Sequence, residues 1–280
     1  MSAMPSSYRI GFCQFRPRFG DPEANLAEIL RRLKGVEAEL IVLPELPFTG
    51  YYFRDRREAM ALSEVPRRSR LVEALVEACR ERGLNLVTGF AEKEGDRCYN
   101  TSLLLGPRGI LQTYRKIHLF NNEKSWFDPG NLSPAVRRVG GARVGMMICF
   151  DWAFPEIARS LALQGMEVLC HPSNLVLPKH CQMAMRVRSL ENAVFAVTAN
   201  RCGEDRRPHG TLRFTGRSQM TGPRGEVLFQ APAARGMVHV EGIDPSRARD
   251  KNLTPRNHLL LDRRPEFYSV MSRGSTFRAS

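Results

Sequence analysis

No stretch of the sequence is apolar for long enough to cross a membrane, and the opening MSAMPSSYRI holds no apolar run of signal-peptide length. The 7 cysteines (13, 79, 98, 149, 170, 181 and 202) are odd in number, scattered, and mostly set inside apolar stretches. That pattern excludes a secreted disulfide framework and fits reduced thiols, so the expected location is the cytoplasm. Lys and Arg outnumber Asp and Glu by 42 to 29, a formal charge of +13, yet no run of five basic residues occurs. An aromatic-rich RNA-binding strand is missing as well. The charge therefore reads as solvated surface, with a basic nucleic-acid-binding module as the non-enzyme alternative. No linker or composition break divides the 280 residues, of which 42% are hydrophobic. They suffice for one large domain, or two small ones, with a core that needs no disulfide or metal.

What is present alternates in period. YRIGFCQF reads as a strand. Asp21-Pro22-Glu23 reads as a helix start, with Leu26, Ile29, Leu30 and Leu33 following at helical spacing. ELIVLPE is a short apolar run ending on Glu45. Residues 69–83 carry a second amphipathic helix with Gly83 at its exit. LNLVTGF, CYNTSLLLG, GILQTYRKI, ARVGMMIC, EVLCHPS and VFAVTAN read as further strands, FPEIARSLALQG and KHCQMAMRVRSLENA as helices, and GMVHVEGI as the closing strand. This order indicates α/β layers. A Gly-Pro-Arg-Gly turn occurs twice, at 106–109 and 222–225, hinting at two similarly built halves.

Three polar residues stand at ends of apolar runs: Glu45 in ELIVLPE, Lys116 in GILQTYRKI, and Cys149 as the last residue of GMMIC. Strand carboxyl ends are where ligand sites assemble in α/β sheets. An ammonium and the helix start at Pro155-Glu156 would both favour a thiolate at Cys149. A carboxylate in a dry pocket could move a proton at neutral pH. Taken singly, each is equally an ordinary buried or surface residue, and spacing does not show that they meet.

LPELPFTGY, YRKIHLF and CFDWAFPE resemble the glutamate, lysine and cysteine blocks of the nitrilase superfamily, the carbon–nitrogen hydrolases. NEKSWFDPG, HPSNLVLP, RSLENAVFAVTANR, GRSQMTGPRGEV and DRRPEFY follow in the family's order, so the resemblance spans nearly the whole chain. It implies a four-layer αββα sandwich made of one domain, 1–280, with 262–280 as a tail at an oligomer interface. It also implies a Glu45–Lys116–Cys149 triad acting through a thioester, and Glu123 as a second glutamate beside it. Phe150 supplies an oxyanion N–H, and Trp152, Asn174 and Tyr51 are expected around the substrate. No metal, nucleotide or redox cofactor is implied. The expected partners are a small-molecule amide or nitrile and a second copy of the chain, a dimer or higher oligomer through Phe154–Gln164 and Lys179–Asn192. Neither nucleic acid nor membrane is expected.

Trp152 and Ala153 follow the cysteine where relatives acting on N-carbamoyl amino acids carry basic residues, which points to a small uncharged aliphatic amide. Nitriles and N-carbamoyl compounds are the alternatives. Trp126, Phe127 and Phe48 would extend the apolar wall if their loops line the pocket, whereas Arg186 or Arg188 turned inward would bind an anion. Two rival chemistries remain: a Cys–His hydrolase using His118 or His171, and a zinc site built from Cys170-His171 and His180-Cys181.

Overall fold

The computed structural model describes residues 7–272. β1 (Tyr8–Gln14) is buried everywhere except Arg9, as a strand covered on both faces requires. Asp21 Oδ1 accepts the Ala24 N–H at 3.2 Å and Pro22 opens α1 (Pro22–Leu33). β2 (Leu40–Val42) and α2 (Arg56–Ala61) follow. α3 (Arg70–Arg82) is capped by Ser69 and ends at Gly83, which adopts φ +64. β3 (Asn85–Glu94), β4 (Arg97–Gly106) and β5 (Gly109–Arg115) form a meander. After α4 (Glu123–Trp126) come β6 (Val136–Val139) and β7 (Ala142–Met146). α5 (Pro155–Leu163), β8 (Val168–Ser173), α6 (His180–Asn192) and β9 (Phe195–Asn200) complete the second α/β run. β10 (Glu204–Arg207), β11 (Gly210–Arg213), β12 (Gln219–Thr221), β13 (Val227–Gln230) and β14 (Met237–Ile243) follow.

Two six-stranded sheets result, in the orders β14-β1-β2-β3-β4-β5 and β13-β12-β9-β8-β7-β6. Three parallel strands sit inside each: β1, β2 and β3 in one, β7, β8 and β9 in the other. The two Gly-Pro-Arg-Gly turns occupy matching places, joining β4 to β5 and β12 to β13. The hint of two similar halves is thus expressed as two sheets of the same plan.

The sheets pack face to face through Ile10, Phe12, Val42 and Val87 on one side and Val144, Met146, Val168 and Val197 on the other. Outside the first sheet, Ile29 and Leu33 of α1 and Leu71 and Leu75 of α3 cover Ile41, Leu43 and Leu86. α5 and α6 cover the second sheet with Ile157, Leu161, Cys181 and Met185. The architecture is a four-layer αββα sandwich. No helix among the described residues is long and apolar enough to cross a membrane.

Three features depart from the sequence reading. β6 and the β10–β11 hairpin were not expected; both are short, arginine-bearing and half exposed, without a strand's apolar alternation. The ARVGMMIC strand stops at Met146, so Cys149 is not its last residue but opens a 3₁₀ turn over Cys149–Ala153. The tail lies partly outside the described residues; its Pro265, Tyr268 and Met271 share a groove with Pro155, Arg159 and Leu163 of the same chain's α5 segment.

Candidate active site

β2 and β5 run the same way in the first sheet, so their carboxyl ends share one edge. Glu45 lies just past β2, Lys116 directly past β5, Cys149 just past β7 and Asn174 directly past β8. Lys116 Nζ is 2.7 Å from Glu45 Oε1 and 2.7 Å from Glu123 Oε1, and all three side chains have no solvent exposure. Asn100 Nδ2 donates to Glu45 Oε1 at 2.7 Å. The Tyr51 hydroxyl donates to Glu123 Oε1 at 2.5 Å, and the Phe120 N–H donates to Glu123 Oε2 at 3.1 Å. An ammonium and two carboxylates buried without water weaken a fold more often than they strengthen it, so their retention points to chemistry.

Two glycines let the backbone close around this cluster. A Cβ on Gly89 would lie 2.7 Å from Glu45 Cα, and one on Gly130 would lie 2.8 Å from the Lys116 carbonyl oxygen. Backbone strain collects at the same place: Leu46 (φ +47), Asn121 (φ +47) and Cys149 (φ +42) are non-glycine residues at positive φ.

The strained turn at Cys149 is held from both sides. Asp151 Oδ2 accepts the Ile148 N–H at 2.9 Å and the Tyr114 hydroxyl at 2.8 Å, while Asp151 Oδ1 lies 2.8 Å from His118 Nδ1. On the other side His171 Nε2–H donates to the Cys149 carbonyl at 2.9 Å. Beside Cys149 a narrow cleft of about 20 Å³ is lined by Phe120, Phe150, Trp152, Asn174, Leu175, Val176 and Leu177. A thiol, an ammonium and two carboxylates meeting beside an apolar cleft can add a nucleophile to a carbon–nitrogen bond and hold the charge that develops.

The sequence pattern of the carbon-nitrogen hydrolases matches residues 9–251. The chain belongs to the carbon-nitrogen hydrolase family. It is 41% identical over 263 residues to a nitrilase of Pyrococcus abyssi, covering 93% of this chain and 98% of the relative. It is 35% identical over 228 residues to an (R)-stereoselective amidase of a Pseudomonas species, covering 80% of each. Among solved structures, a mutant amidase from Nesterenkonia sp. AN1 superposes with a TM-score of 0.77 at 25% identity, covering 96% of this chain and 98% of that one. In that structure the acetamide moiety of fluoroacetamide is covalently added at the active-site cysteine. The chain is a cysteine-type carbon-nitrogen hydrolase of the nitrilase and amidase kind.

Electrostatics in the hydrolase site differ in one sign from the sequence reading. Burial pushes the Cys149 thiol well above its ordinary pKa, Glu45 pushes it further, and Lys116 opposes without reversing the result. The resting sulfur is therefore a thiol and not a thiolate. The helix α5 begins at Pro155, as the sequence indicated, and does not offset the loss of solvent at the sulfur. For Lys116, burial alone would favour the neutral amine, but the Glu123 and Glu45 carboxylates overturn this and hold the ammonium. Burial raises the Glu123 pKa against the pull of Lys116.

Neither histidine of the Cys–His alternative meets the sulfur. His118 pairs with Asp151 and stacks on Phe154 at 3.6 Å, and His171 meets the Cys149 carbonyl. The two Cys/His pairs do not form a metal site: among the described residues no three His, Cys, Asp or Glu side chains are grouped to hold an ion. Tyr51 stands behind Glu123 in an aromatic cluster with Trp126 and Phe127, and Phe48 belongs to the core under α1 and α3. None of these four lines the cleft at Cys149. Arg186 is turned to the Gly225 carbonyl and Arg188 to Glu191, so neither meets a substrate there. Asn100 and Asp151 were missed, and His171, expected only in the two rival chemistries, instead holds the Cys149 carbonyl. Asp151 sat inside the cysteine block as an unremarked polar residue, and only the fold brings Tyr114 and His118 to it.

His171 gives the site an acid limit. Burial drives its pKa down to about 4, against about 6.5 in the unfolded chain. The unfolded state then binds more protons between these values, so stability present above pH 6.5 is lost as pH falls toward 4. The expected loss is about 3 kcal/mol. Urea titrations from pH 7 to 4 should show this loss in the wild type and not in His171→Gln, whose amide can still donate to the Cys149 carbonyl. Parallel curves would place the titrating group elsewhere.

Proposed function

We propose that the enzyme hydrolyses a small, uncharged aliphatic primary amide to the acid and ammonia through a thioester at Cys149. The observation that carries this reading is Lys116 fixed at 2.7 Å from both Glu45 and Glu123 in a dry pocket beside the cysteine cleft. Glu45 Oε2 is buried and has no partner, whereas Oε1 is taken by Lys116 and Asn100. Glu45 Oε2 receives the thiol proton as Cys149 Sγ attacks the carbonyl carbon. Lys116 Nζ and the Phe150 N–H stabilise the oxyanion. Glu45 returns the proton to nitrogen, the carbon–nitrogen bond breaks and ammonia leaves. Water, deprotonated by Glu45, then opens the thioester, and Glu45 returns that proton to the departing Cys149 sulfur. Glu123, held by Tyr51, fixes the ammonium.

The cleft supports the amide over an N-carbamoyl amino acid. Its lining has no charged side chain to meet a substrate carboxylate, and Trp152 forms part of its apolar wall. The second reading, nitrile hydrolysis, is favoured by the 41% identity to a nitrilase. Ammonia release should be measured on short aliphatic amides, the matching nitriles and N-carbamoyl amino acids. Amides are expected to exceed carbamoyl amino acids by at least about tenfold in kcat/KM, or roughly 1.4 kcal/mol. Carbamoyl substrates winning by that margin would refute the apolar-wall argument, and turnover of nitriles alone would establish the second reading.

The same proposal includes a homodimer through α5 and α6, with the 262–280 tail at the contact. Met183, Val187 and Leu190 lie at i, i+4 and i+7 on α6 and are exposed, as is Leu163 on α5. A soluble helix seldom leaves such a stripe uncovered. Light scattering at micromolar concentration should return twice the 31.7 kDa of one chain or more. A monomer mass would contradict this.

A further inference from the structure

We propose that the side-chain oxygen of Asn174 accepts an N–H of the substrate's amide group and so selects primary amides over acyl compounds without that donor. This deepens the amide reading and rests on it. Asn174 lines the cleft with Cys149. Its Nδ2 donates to the Glu45 carbonyl at 2.9 Å. A carbonyl oxygen can only accept, so this bond fixes which way the side-chain amide is turned. Oδ1 is left facing away from Glu45, cut off from water and without a partner, in a residue only 2% exposed. Buried acceptors are ordinarily paired, and an unpaired one at a reactive centre is a place for a donor that arrives with the substrate.

A nitrile nitrogen and an ester oxygen bring no donor. Glu45 Oε2 and Asn100 Oδ1 are unpaired too, but neither residue lines the cleft, and Glu45 Oε2 is the acceptor for the thiol proton.

The test compares a primary amide with the methyl ester of the same acid, in the wild type, Asn174→Ala and Asn174→Ser. Losing the Nδ2 bond to Glu45 harms both substrates alike, so the ratio of their kcat/KM values isolates the Oδ1 contact. Both variants should lower the amide-to-ester ratio by about tenfold, with the greater loss in alanine. An unchanged ratio, with both substrates slowed together, would make Asn174 a support for Glu45 and overturn the proposal. Should the alanine variant fail to fold, the serine variant is read by the same two outcomes. Full amide turnover by Cys149→Ala would instead bring down the thioester reading itself, which separates the two failures.

Discussion

Cys149→Ala is expected to abolish turnover, by on the order of 10⁶-fold, as when a covalent nucleophile is removed from a hydrolase. The other groups around the cleft cannot replace it. Glu45 and Glu123 are engaged with Lys116, whose ammonium has no free electron pair, and His171 is turned to a carbonyl. Folding should survive, because the turn is held by Asp151 and His171 through the main chain and not through sulfur. Intact-mass measurement of the wild type held with a slow amide should show one acyl group, located on the peptide containing Cys149. An adduct on another of the 7 cysteines, or turnover by the alanine variant, would remove Cys149 from this role.

Lys116→Ala and Glu45→Gln should each lower kcat/KM by on the order of 10²–10⁴ or more, but they should differ in stability. Glu45→Gln keeps the shape and an oxygen for Lys116 while removing the proton acceptor. Because the resting sulfur is a thiol, that loss falls on the attack itself. Lys116→Ala leaves two fully buried carboxylates facing each other across an empty place. It should therefore also destabilise the fold by about 3–5 kcal/mol. Glu123→Gln should be mild in stability and severe in rate. Denaturant unfolding beside steady-state kinetics separates these effects. Rates within tenfold of wild type for either triad variant would sink the acid–base assignment.

Much of the fold was legible because local chemistry marks its boundaries. Asp21-Pro22, Ser69 and Gly83 place helix ends through hydrogen bonds and backbone geometry that involve only near neighbours. The Glu45, Lys116 and Cys149 blocks were legible as a set through their order along the chain. Burial was not legible, and it reverses the expected state of Cys149: the ammonium and helix start suggested a thiolate, while loss of solvent and the nearby Glu45 make it a thiol. Asp151 illustrates the other limit. Its partners Tyr114 and His118 are more than 30 residues away, and no local pattern announces them. β6 escaped for a related reason, since VRRV is an edge strand that turns its arginines to solvent.

β14 pairs with β1 along all seven residues, from Tyr8 against Ile243 to Gln14 against Met237. The first strand made is thus bordered by the last strand of the sandwich. On the ribosome, β1 can find β2 and β3 early, but its other edge stays open until residue 243 has emerged. A nascent chain of this enzyme carries one uncovered, apolar strand edge through most of its synthesis, the kind of edge that recruits foreign strands or a chaperone. The step that shields it is also the one that makes the first half depend on the second.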